Sequence, residues 1–431
     1  MIKQTLVISC PIDTYSGYGA RSRDFVKAVI NLNRYEVRLL SQRWGNTRSG
    51  YLADHNETEL SNLIIDKVNT KPDIWMQITV PNEFAPVGVY NIGVTAGMET
   101  TLCHGSWIEG CNRMNLIITS SEHSKRVFSE SKFEKVDQKS NKVLADLKLN
   151  KPVEVLFEGA DLTKYFPTKS KMNCELNVQL DQIVESFCFL SVGHWMQGKL
   201  GHDRKNIGYT IKSFLEVFKN KRGSKPALIL KTQEVGTSTI DRNKILDKIE
   251  VIRKSVKGSN LPNIYLLHGD LTDAEMNELY NHPKVKAMVS HTKGEGFGRP
   301  LLEFSLTGKP IIASGWSGQL DFLTPELALL LGGKLAKLDS SSVIKDILIP
   351  ESSWFFPDDS QTNNGYKQVY KKYKDYHIKG KRLKNINREK FSFEAMQSKL
   401  DEILTQYIKE APKQVKLELP KLKMPKLVKN G

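Results

Sequence analysis

Glu295 and Glu303 are the residues of this chain most able to do chemistry. They bracket a glycine turn in the string G-E-G-F-G-R-P-L-L-E-F-S-L-T-G-K-P-I-I-A-S at 294–314. The mostly apolar run 285–289 before it predicts a buried strand. Pro300 suits the start of a helix, where a missing N–H costs nothing. Strand, glycine turn and helix together aim backbone N–H groups and a helix dipole at phosphate. A carboxylate before the turn and one in the helix can accept hydrogen bonds from hydroxyls on either side of that phosphate. Ribose, diphosphate and hexose follow one another in this way in a nucleotide sugar. The same two residues also have plainer readings. An acid in a first helical turn complements the dipole, and glycines before a helix can serve only a tight turn.

The elements that must position this segment alternate between strand and helix. In the N-terminal third, strands are predicted at 4–9, 36–40, 74–78, 91–95 and 116–119, with a helix at 21–31. A second alternating block has strands at 186–192, 227–231, 264–268 and 285–289. Its helices are predicted at 211–218, 244–256 and 273–280. Strands alternating with helices imply a parallel sheet wound on both faces. At 431 residues the natural expectation is two such domains. An amphipathic helix is predicted at 391–408. The stretch 411–431 carries Pro412, Pro420 and Pro425, which forbid a continuous helix, and reads as an extended basic tail.

The 294–314 segment resembles the E-x7-E segment of retaining glycosyltransferases of family four. The resemblance continues in V-L-F-E-G-A-D-L-T-K-Y-F-P at 155–167, where Glu158 replaces the family's usual asparagine. It implies an α/β chain of the GT-B fold: two Rossmann-like, doubly wound parallel-sheet domains facing across a cleft. The expected division is an acceptor domain at 1–170, a donor domain at 171–390 and a helix at 391–410 that can cross back to the first domain. By the resemblance, Glu295 contacts hydroxyls of the donor sugar and Glu303 grips the ribose. The turn Gly296, Phe297, Gly298 and Arg299 then faces the diphosphate. Lys205, in R-K-N-I-G-Y-T at 204–210, matches the family's phosphate-binding cation. The family has an arginine where this chain has His194, so His194, Arg204 or Lys199 must supply the second charge. Gly17 and Gly19, in Y-S-G-Y-G-A-R, match a glycine-rich loop of the first domain. The family's usual histidine after 91–95 is missing, which leaves Glu99 and His104 as the polar candidates there. No D-x-D motif is present near the site, and no metal or cofactor is expected beyond a nucleotide diphosphate sugar, uridine-linked by family habit. A paired-carboxylate hydrolase fits poorly, because its two acids flank a single bond at roughly 5–9.5 Å.

Composition narrows the setting. The chain has 63 basic and 48 acidic residues, a net charge of +15, which attracts polyanions. The five cysteines are odd in number and form no C-x-x-C, so reduced thiols in a cytoplasmic protein are expected rather than a zinc site. The start M-I-K-Q-T-L-V-I lacks a signal-peptide layout, and no apolar run reaches the roughly 18 residues of a membrane span. The strings S-G-Y-G-A-R-S-R-D-F, G-M-E-T-T and S-S-E-H-S-K resemble glycosyltransferases encoded by large tailed phages, some of which modify hydroxymethylated cytosine. Duplex DNA is therefore the leading acceptor, with the lysines of 132–151 placed to meet phosphates. A cell-surface or lipid-linked glycan is the alternative acceptor. A non-catalytic sugar-binding protein is a third reading, which the intact Glu295, Glu303 and Lys205 set disfavours.

Overall fold

The computed structural model describes residues 3–136, 143–234 and 236–408. Lys139, Lys142 and the 411–431 stretch lie outside the described residues.

Six strands, Gln4–Cys10 (β1), Tyr35–Ser41 (β2), Ile74–Ile78 (β3), Tyr90–Val94 (β4), Leu116–Thr119 (β5) and Val153–Val155 (β6), form the first sheet. Their order is β2-β1-β3-β4-β5-β6, and every pair is parallel. The second sheet contains Cys188–Val192 (β7), Ala227–Lys231 (β8), Ile264–Leu267 (β9), Val285–Ser290 (β10), Ile311–Ser314 (β11) and Leu329–Leu331 (β12). Its order is β9-β8-β7-β10-β11-β12, again parallel throughout. Parallel sheets are covered on both faces, so their strands carry continuous apolar runs. Ile74–Ile78, with all five residues buried, is one such run. The chain is thus an α/β protein of two doubly wound Rossmann-like domains. In each sheet the strand order reverses once, beside β1 in the first and beside β7 in the second. Loops leave such a point in opposite directions and open a crevice at the strands' carboxyl ends.

Several elements differ from expectation. The first helix is Gly17–Asn31, not 21–31. Ser16 caps it by accepting the Gly19 N–H at 2.9 Å, so the two glycines form the first helical turn rather than a loop. The lysine-rich segment contains an antiparallel hairpin of Lys132–Val136 and Val143–Lys148. Phe133 and Leu147 pack against the apolar cluster that holds Trp107 and Phe128, while Lys132 and Lys148 are exposed. A second hairpin, Gly333–Lys337 with Ser353–Pro357, and the helices Asp359–Lys371 and Tyr373–Lys390 had no periodic signal strong enough to find.

After Tyr373–Lys390 the chain returns to the first domain. Ala160 N–H donates to Phe391 O, and Phe393 N–H to Ala160 O, both at 2.9 Å. Helix Phe393–Tyr407 then inserts Met396, Leu400, Ile403 and Leu404 into the cluster that contains Leu6, Ile8, Phe25 and Val29. Leu400 is fully buried there. Replacing it by alanine should lower the unfolding free energy by about 2–5 kcal/mol, read as a lower urea midpoint. An unchanged midpoint would show that this helix adds nothing to the first domain's core.

Candidate active site

β7 and β10 are hydrogen-bonded neighbours, so the loops that follow them emerge side by side. Arg204 and Lys205 lie at the end of the first loop, just before helix Ile207–Phe218. Asp203 caps that helix by accepting the Ile207 N–H at 3.1 Å, and Lys293 N–H ties the second loop to Arg204 O at 2.8 Å. Glu295 is fixed through its own backbone. Its N–H donates to Ser317 Oγ at 2.9 Å, and its carbonyl accepts from Gly318 N–H at 3.0 Å. Lys205 Nζ then meets Glu295 Oε1 at 2.6 Å, and Arg204 meets Oε2 at 3.2 Å. The other guanidinium nitrogen of Arg204 stands 3.7 Å from Glu99 of the first domain.

These contacts set the charges. Burial by itself would raise the Glu295 carboxyl; Lys205 and then Arg204 outweigh it and hold the pKa at about 2. Burial acts to lower Arg204, yet Glu99 and Glu295 together raise it above its ordinary value. Lys205 is lowered by burial, with Arg204 adding to the effect and Glu295 opposing it. Both cations therefore point at an obligate anion inside a water-poor wall.

Glu303 mirrors this arrangement one helical segment later. Arg299 Nε donates to its Oε1 at 2.8 Å, and Tyr280 OH to Oε2 at 3.4 Å. The far side of Arg299 pairs with Asp24 on helix Gly17–Asn31 of the first domain. Burial raises Glu303; Arg299 pulls it down while Asp273 and Asp24 push it up, leaving a pKa of about 7. Both glutamates of the E-x7-E segment thus reach, through an arginine, a carboxylate of the opposite domain.

The glycines between them serve closeness more than flexibility. A Cβ on Gly294 would stand 1.9 Å from Glu99 O, and one on Gly296 would stand 2.1 Å from Ala96 O. Ser120 Oγ donates to Gly296 O at 2.9 Å and also reaches Ala96 O, so the first domain rests directly on this turn. Gly298 has φ +102, where only glycine is unstrained. The N–H groups of Gly296, Phe297, Gly298 and Arg299 meet no acceptor among the described residues. The helix that follows, Arg299–Ser305, is short, so these bare N–H groups matter more than any dipole. The Phe297 side chain is buried between Phe322 and Phe391.

The remaining expected residues fall into two groups. His194 lies in the loop after β7; loss of water around the ring and then Lys205, with Lys231 and Arg204 also contributing, lower its pKa. Glu99 is partly exposed and engaged by Arg204. Gly17 has open space where a side chain would go. At Gly19 a Cβ would stand 2.2 Å from Thr14 O, so chain packing alone requires glycine there, and its N–H is taken by Ser16 Oγ. His104 caps helix Gly105–Arg113 through the Ser106 N–H. Glu158 pairs with buried Arg21 at 3.8 Å. Sequence reasoning missed Asp24, Ser120 and Asp321, whose carboxylate accepts the Glu122 N–H across the domains at 3.0 Å. A single polar residue outside any motif carries no spacing signal.

No family model and no curated protein matches this sequence. Solved structures do resemble it, and they define the fold as GT-B. A glycosyltransferase from Rickettsia africae superposes with a TM-score of 0.64 at 13% identity, covering 95% of this chain and 100% of the other. HepE of Anabaena, determined with UDP-glucose, gives 0.60 at 14% identity, with 94% and 100% covered. Sucrose-phosphate synthase from Thermosynechococcus elongatus gives 0.59 at 11% identity, with 94% and 99% covered.

An anion bound among Lys205, Lys231 and Arg204 would reverse the sign of the field at His194. Inorganic pyrophosphate should therefore raise the His194 pKa, followed by NMR of its ring protons. An unmoved titration would place the anion site elsewhere.

Proposed function

We propose that this protein is a retaining glycosyltransferase, using a uridine diphosphate sugar and no further cofactor. The observation that carries the proposal is the run Lys205–Glu295–Arg204–Glu99, which joins the two domains at the carboxyl ends of their strands. In this reading the diphosphate lies over the bare N–H groups of Gly296, Phe297, Gly298 and Arg299, beside Lys205. Glu295 holds hydroxyls of the sugar, and Glu303 those of the ribose. The acceptor hydroxyl attacks the anomeric carbon from the face that the diphosphate leaves. The bond from that carbon to the phosphate oxygen breaks, and the departing oxygen takes the acceptor's proton. Lys205 and Arg204 stabilise the charge that develops on the leaving group, the largest kind of contribution available to a fixed site. The structure of HepE with UDP-glucose supports the choice of donor.

The acceptor in this proposal is 5-hydroxymethylcytosine in phage duplex DNA, modified in the host cytoplasm. The net charge of +15 and the exposed Lys132 and Lys148 support it. The deciding experiment offers nucleotide sugars to the pure enzyme with hydroxymethylcytosine DNA, then weighs the nucleosides by mass spectrometry. A hexose or pentose added to the modified cytosine is expected; transfer only to an added glycan would overturn the DNA acceptor and leave the transferase standing.

Glu303→Ala should weaken binding of the nucleotide sugar by about 1–3 kcal/mol, the scale for a hydrogen bond to a charged group. Unchanged affinity in calorimetry would remove Glu303 from the ribose. Lys205→Ala should depress turnover far more than thermal stability, and full activity in that variant would exclude it from the phosphate site. Duplex binding should weaken steeply as salt is added; a flat response would contradict phosphate contacts.

A further inference from the structure

The segments that follow the carboxyl ends of β1 and β2 bring together a group of aromatic rings. Tyr18 stacks on Trp44, with ring centroids 3.9 Å apart and planes within 23°. Tyr15 stands edge-on to Tyr51 at 5.2 Å, and Tyr51 stacks on His55 at 3.9 Å. Arginine flanks these rings. Arg48 lies over the Tyr15 ring at 4.7 Å and shares Asp54 with the Tyr15 hydroxyl, while Arg43 is exposed with no side-chain partner among the described residues. Trp44 itself is half-buried, with Tyr18 stacked on one face of its ring.

This group is tied to the site by short links. Tyr18 OH takes the Ala96 N–H at 3.1 Å and lies 3.0 Å from Thr95 Oγ1. Ser120 Oγ joins Ala96 O to Gly296 O, next to Glu295. The charge of Glu99 acts on Tyr18, and that of Asp270, in the second domain, acts on Tyr15. Gly17, at the start of the helix that carries Tyr18, is exposed and has open space beside it.

We infer that Trp44, backed by Tyr18, is the ledge on which the base carrying the acceptor hydroxyl stacks, with the unpaired Arg43 meeting a phosphate beside that base. Stacking on an aromatic ring and neutralisation by nearby arginine is how proteins hold an unpaired base in a strand. A base taken out of a duplex needs such a surface to replace its lost neighbours. A ring already backed by a second ring is held flat, so it loses little freedom when the base arrives. The inference rests on the DNA reading above, and its test separates the two.

The test uses the full chain as wild type, Trp44→Leu, Trp44→Phe and Arg43→Ala. The probes are a fluorescein-labelled hydroxymethylcytosine oligonucleotide, as single strand and duplex, and UDP alone by calorimetry. Trp44→Leu should lose about tenfold to a hundredfold in oligonucleotide affinity, the range for one stacked base. Trp44→Phe should recover most of it. Arg43→Ala should weaken binding and lessen its salt dependence. UDP affinity should stay at the wild-type value in all three, which also shows that they fold. If wild type binds the oligonucleotide and Trp44→Leu binds it equally well, the ledge is wrong while the DNA acceptor survives. If wild type binds UDP but no oligonucleotide at low salt, both the ledge and the DNA acceptor fall and the transferase stands.

Discussion

Two arginines, each held between a carboxylate of its own domain's signature segment and a carboxylate of the other domain, organise this molecule. Arg204 lies between Glu295 and Glu99, and Arg299 between Glu303 and Asp24. Removing one member of such a buried set typically costs about 3–5 kcal/mol, because the remaining charge is stranded. The Glu99 and Asp24 links depend on the two sheets facing each other at this distance, whereas Lys205, Arg204 and Arg299 meet the two glutamates within the second domain.

The glycines of 294–298 make that approach possible. Backbone carbonyls of Glu99 and Ala96 occupy the positions where side chains of residues 294 and 296 would stand. The turn proposed to bind phosphate is thus also a domain contact. The apolar complement is Phe297, whose ring anchors the turn beside Phe322 and Phe391. Phe391 in turn begins the passage back to the first domain through Ala160. The site is braced on one side by ion pairs and on the other by this aromatic contact at the crossover.

Much of the fold was legible because parallel strands are apolar throughout. Residues 74–78, 116–119 and 227–231 were bounded correctly from that pattern alone. Helix starts were less legible: Gly17 and Gly19 read as a loop, because a serine cap and a tertiary contact with Thr14 override glycine's poor helix propensity. The helices at 359–390 carry many charges and few apolar residues, so no periodic face announced them. Glu295, Glu303 and Lys205 were singled out from their strings, and the structure pairs Lys205 with Glu295 and Arg299 with Glu303. Asp24 and Ser120 were not, since each acts across the domain boundary from a position with ordinary neighbours. Their partners lie 275 and 176 positions away in the chain.

In the proposed complex a pyrophosphate lies between Lys205 and the bare N–H groups of the glycine turn while both acid–arginine bridges stay closed. A crystal structure of the complex with UDP-glucose tests it most directly. The expected result places the diphosphate oxygens within hydrogen-bond distance of Lys205 Nζ and of the Gly298 or Arg299 N–H, with the sugar against Glu295. Nucleotide density in another crevice, or beside a turn whose N–H groups remain unengaged, would contradict it.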